Sequence, residues 1–176
     1  MFLLQSRLNW LVVIILAVTG CAPRQLIVPA SDATPPSGLW LQIDRPGQPL
    51  LNATITSADP LAHAAAGQQM RVTARADDPD GGVQDVQIWM TEQTWRSNPD
   101  GTATITGPGL AGAPAASTPS QAAVGDPAPA SSSVTHLLTP PTNTSPLTRR
   151  QYVIWARAVN FHGGAVQTKQ LTIAVP

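Results

Sequence analysis

Hydrophobic and polar residues alternate in short runs along most of the chain, and each run stops at Pro, Gly, Asn or Asp. Leu39, Leu41 and Ile43 alternate ahead of Arg45-Pro46-Gly47, and Leu51, Ala53 and Ile55 ahead of Asp59-Pro60. Between residues 70 and 76, Met70, Val72, Ala74 and Ala76 take one side while Arg71, Thr73 and Arg75 take the other. After the turn Asp77-Asp78-Pro79-Asp80-Gly81-Gly82, Val86, Ile88 and Met90 alternate with Gln87, Trp89 and Thr91. Successive side chains of a strand point to opposite faces, so each run predicts a β-strand with one buried side. A weaker run covers 102–106, and another covers 132–138. Two clear strands at 151–159 and 167–175 flank the turn Asn160-Phe161-His162-Gly163-Gly164. No helix is needed anywhere after residue 20.

Two regions depart from this rhythm. Residues 8–18 form an apolar run interrupted only by Asn9, roughly a dozen positions, which is the length of a signal-peptide core and short of the ~20 residues a helical membrane span needs. Residues 107–148 are filled mostly by Pro, Ala, Ser, Thr and Gly, with Asp126 as the only charge. Such a composition buries too little apolar surface to offset the entropy of ordering, so 107–131 is expected to be a flexible insertion. The Pro-rich stretch from 21 to 38 reads as an extended tether. This leaves residues 39–176 as one domain, and without the insertion that domain is close to the ~100 residues of an immunoglobulin-type sandwich.

The cysteine content sharpens the reading of the amino terminus. Cys21 is the only cysteine, which excludes an intrachain disulfide and a cysteine-rich zinc site. It closes the sequence Val18-Thr19-Gly20-Cys21, which resembles the lipobox of bacterial lipoproteins. The resemblance implies that the signal peptide 1–20 is cleaved and that Cys21 carries a covalent lipid, with its new amino group acylated. One acyl chain binds a bilayer only marginally, so multiple acylation is what would make the anchor stable. Residue 22 is Ala and not the Asp that resembles an inner-membrane retention mark. The expected location is therefore the cell envelope, at the outer membrane in preference to the inner one.

Two further segments resemble bacterial immunoglobulin-like domains of the adhesin kind, or the similar fibronectin type III domains. One runs from Val72 to Asp78 and on through Gly82 to Trp89. The other runs from Tyr152 to Asn160, then Gly163-Gly164 and Leu171 to Val175. The likeness implies an all-β, immunoglobulin-like β-sandwich. It also implies that Tyr152 is the tyrosine that locks a corner of such folds by bonding back to the chain.

Charge and motifs narrow the function more by exclusion than by assignment. Ten Lys and Arg balance ten Asp and Glu in 176 residues, so no basic footprint for nucleic acid exists. No Ser sits in a G-x-S-x-G elbow, and His63, His136 and His162 lie far apart, so neither an enzyme nor a cofactor is expected. Asp77, Asp78, Asp80 and Asp85 cluster near a Gly-Gly turn and could hold Ca²⁺, although Asp and Gly also favour turns for local reasons. The tryptophans are more informative. If Val86, Ile88 and Met90 point inward, Trp89 points outward, and the same parity sends Trp155 and Arg157 outward. Neighbouring strands would then join Trp89, Trp155 and Arg157 into one aromatic and polar face suited to a protein or glycan partner. The alternative is that Trp89 belongs to the core or is covered by another segment. The resulting expectation is a membrane-anchored lipoprotein presenting an Ig-like binding or scaffolding domain. A carbohydrate-binding accessory module is the alternative, and a hydrolase assembled from distant loops is a weaker one.

Overall fold

A computed structural model describes residues 27, 34–106, 113–119, 127–142 and 147–176. The expected signal peptide and Cys21 lie outside these residues, as do most of the expected tether and parts of the 107–131 stretch. The alternating runs become strands β1 (Trp40–Asp44), β2 (Leu51–Thr54), β3 (Ala62–His63), β4 (Met70–Asp77), β5 (Val83–Ser97), β6 (Ala103–Thr106), β7 (Ala116–Pro119), β8 (Ser131–Leu138), β9 (Thr148–Asn160), β10 (Ala165–Gln167) and β11 (Leu171–Val175). No helix occurs among the described residues.

The strands form two sheets. One has the order β2-β1-β4-β8. The other has the order β3-β11-β9-β5-β6, with β10 also on β9 and β7 also on β5. All pairings are antiparallel except β3 with β11. Their inner faces meet through Leu41, Ile43, Met70, Val72, Val86, Ile88, Ile154, Leu171 and Ile173, all fully buried. This is an all-β, immunoglobulin-like β-sandwich. Burying a side chain of this size stabilises the fold by about 1.5–3 kcal/mol, which is how short strands without a disulfide hold together.

Four details differ from the sequence reading. First, β5 and β9 are much longer than their apolar cores, because polar residues continue the pairing as far as Arg96 with Thr148. Second, the 107–131 stretch contributes a strand, since β7 pairs with Asp85–Ile88 of β5. Backbone hydrogen bonds do not require apolar side chains, so the low-complexity composition concealed it. Third, residues at the end of the expected tether lie against the body. Ser37 and Gly38 donate backbone hydrogen bonds to Asp77, Pro36 is buried, and Ala128 donates to the carbonyl of Ile27.

Fourth, Tyr152 stands in the interior of β9, four positions after Thr148, and not near the start of the strand as the 151–159 run places it. It lies within β9, opposite Glu92, and its hydroxyl meets the side chains of Glu92 and Arg150. Burial pushes this phenol up to about 12, the Glu92 carboxylate adds to the effect, and the Arg150 guanidinium partly opposes it.

The two turns at one end of the sandwich are fixed by side chains. The Asp78 carboxylate accepts the Gly81 N–H at 3.0 Å, and Asn160 Oδ1 accepts the N–H groups of His162 and Gly164. Asn160 also donates to the Thr34 carbonyl at 2.8 Å. Gly82 is required here twice over. Its φ is +70°, and a Cβ would lie 2.5 Å from that of Ala128.

Candidate functional site

Period two along β5 and β9 decides which residues reach the outer face of the seven-stranded sheet. Val86, Ile88, Ile154, Ala156 and Ala158 are fully buried. Asp85, Gln87 and Trp89, with Trp155 and Arg157, therefore project from the opposite side. Trp89 and Trp155 are direct cross-strand partners, and so are Gln87 and Arg157. The outward parity expected for Trp89, Trp155 and Arg157 is what the pairing delivers, and all three are half-buried.

The two indoles are nearly parallel, with centroids 6.3 Å apart and planes inclined by 12°. Such a pair contributes about 0.5–1.5 kcal/mol beyond its area burial. A line of hydrogen bonds fixes it on the β5 side. Trp89 Nε1 donates to Gln87 Oε1 at 3.0 Å, and Gln87 Nε2 donates to Asp85 Oδ2 at 2.6 Å. Ser117 Oγ on β7 donates to the same carboxylate at 2.9 and 3.0 Å. Each polar atom of this ladder has a defined partner, which holds the Trp89 ring in one orientation. Beyond Asp85 the face opens into a cleft of about 410 Å³, bordered by Gln84, Pro119, Val159 and Phe161.

The four aspartates considered for Ca²⁺ are not gathered into one site. Asp77 lies on the outer face of the four-stranded sheet, where it pairs with Arg75 at 3.1 Å. Asp85 lies on the outer face of the other sheet, on the far side of the sandwich. Asp78 is buried in the turn, and Asp80 is exposed. Alternation within β4 and β5 sends the two strand-borne carboxylates in opposite directions, although only seven residues separate them from each other along the chain. Among the described residues, no three of His, Cys, Asp and Glu come together as metal ligands.

The sequence reading grouped Gln87 with the tryptophans but did not find the Asp85–Ser117 end of the ladder. Asp85 shares the parity of Gln87 and Trp89, a signal that was available. Ser117 offered none, because it sits in a run of small residues. A scan against protein-family models finds no match, and a search of curated proteins finds none either.

Proposed function

We propose that this chain is a non-enzymatic lipoprotein of the bacterial cell envelope, held to the outer membrane by lipidated Cys21, whose Ig-like sandwich binds or scaffolds a partner. The recognition surface is the outer face of the seven-stranded sheet. The observation that carries this reading is the Trp89–Trp155 pair, half-exposed at mid-face and oriented through Gln87, Asp85 and Ser117. Pre-oriented aromatic rings surrounded by polar groups give contact area at little entropic cost, the arrangement that dominates protein recognition energies. A glycan partner is the second reading, favoured by the near-parallel rings, against which the C–H face of a pyranose can stack.

The tether length supports an orientation. Five residues, and so six Cα–Cα steps, separate Cys21 from Ile27, whose carbonyl accepts the Ala128 N–H at the turn end of the sandwich. Fully extended, they reach about 20 Å, so a lipid on Cys21 keeps the 78–82 and 160–164 turns near the bilayer. The opposite end of β5 then projects outward.

The test is a pair of variants. Trp89→Ala and Trp155→Ala each lower stability by about 1–2 kcal/mol, short of the ~3–5 kcal/mol of a core aromatic. Both are expected to abolish retention of the partner from solubilised envelopes, or of the chain on peptidoglycan if the partner is a glycan. Retention at wild-type level by both variants overturns the binding face. For the anchor, Cys21→Ser moves the protein from the membrane to the soluble fraction, and continued membrane association after signal cleavage overturns lipidation.

A further inference from the structure

We propose that the cleft at the outward end of the β5–β9 pair is a second binding site, taking an acidic sugar. This site does not depend on the Trp89–Trp155 face. Trp95 stands six residues beyond Trp89 on the same face of β5, about 20 Å along the strand. The cleft has a volume of about 340 Å³, within the range of small-ligand pockets, and is lined by Trp95, Arg149, Gln151, His63 and Leu61 among others.

Three features set the ligand chemistry. The first is an apolar wall: Trp95 is half-buried, Leu61 is 56% exposed, and Ala174 and Val175 of β11 complete the lining. These groups match the C–H face of a ring. The second is charge. No Asp or Glu side chain lines the cleft; Arg150 and Pro176, which also line it, are engaged in interactions of their own, while Arg149 sits directly opposite Trp95 in the register and is exposed. Arg75 and Arg150 are held in ion pairs with Asp77 and Glu92, whereas Arg149 has no salt bridge among the described residues. Its planar fork is suited to a carboxylate, which it can bind through two parallel hydrogen bonds. The third is a polar rim. Gln151 lies one outward position along β9 and His63 comes from β3, which runs beside β11 at the sheet edge. Both can donate to and accept from hydroxyl groups. A ring with one apolar face, hydroxyls on its rim and a carboxylate at one corner satisfies all three, and a uronic acid is such a ring.

The experiment uses the full chain in detergent, titrated with sodium glucuronate, glucose and benzoate, and followed by calorimetry and tryptophan fluorescence. Glucuronate is expected to bind saturably and at least about tenfold more tightly than glucose, as a charge-assisted bidentate contact requires. Arg149→Gln, at an exposed position, removes about tenfold of the glucuronate affinity and leaves that for glucose unchanged. Trp95→Ala weakens both sugars with an unaltered circular dichroism spectrum, and Trp89→Ala weakens neither, which separates this site from the first. The proposal is overturned if glucuronate binds no better than glucose, if Arg149→Gln has no effect, or if benzoate binds more tightly than glucuronate.

Discussion

From Val83 to Met90, β5 turns Val86, Ile88 and Met90 toward the opposing sheet; from Thr91 to Ser97 the same side of the same strand carries Glu92, Thr94 and Arg96. The first set is closed off by the core, with Val86 and Ile88 wholly inaccessible. In the second, Arg150 pairs with Glu92 beside the Tyr152 hydroxyl, and Arg96 is exposed. Backbone pairing with β9 is continuous through both halves. What changes is the layer opposite. Where the four-stranded sheet covers the strand, burial selects apolar side chains. Where cover thins, charged groups can extend the pairing because water and one another satisfy them. The domain thus has a dry half that sets its stability and a wetter, projecting half that carries the Trp95 cleft.

The contrast can be broken most severely in the dry half. Ile88→Ala is expected to cost about 2–5 kcal/mol, because it removes buried methyl groups and leaves a cavity between packed sheets. Urea denaturation checks this, and a cost below 1 kcal/mol would mean that the opposing sheet does not close over β5.

The boundary between the halves responds less and carries a pH signature. Tyr152→Phe is expected to cost about 1.5–3 kcal/mol, the range for a hydrogen bond to a charged group. In the wild type burial pushes the folded phenol up to about 12 from an ordinary value of 10. The neutral hydroxyl is therefore favoured by folding. Its contribution is complete below pH 10 and is lost as the pH rises toward 12. Denaturation midpoints measured across that window should fall more steeply for the wild type than for Tyr152→Phe, and identical slopes would place the phenol in water.

The smallest effect belongs to the projecting tip. Arg96→Ala should change stability by no more than about 0.5 kcal/mol, as is usual for an exposed side chain away from caps and networks. A larger loss would show that the wet half contributes to the core's stability.

Particular residues show how far the primary structure could be read. Met70 to Ala76, Val86 to Met90 and Ile154 to Ala158 declare their faces through alternation, and from the last two follow the outward sides of Trp89, Trp155 and Arg157. The Ser117 hydrogen bond to Asp85 could not be read, because β7 is made of Ala, Ser, Thr and Pro and has no periodic signal. The Trp95 cleft was equally hidden. Its lining comes from segments as distant as Leu61, Arg149 and Val175, which only the parallel placement of β3 beside β11 brings together.

Alternation is a local property, carried by neighbours along one strand, so the amino-acid sequence by itself determined the all-β class, the inner and outer faces, and the lone cysteine after an apolar run. Which outward residues become neighbours depends on strand order and register, and those are chosen by the packing of the whole sandwich. That is why tertiary structure alone decided that Trp89 lies against Trp155, that Asp77 and Asp85 stand on opposite sides, and that Tyr152 faces a charge pair.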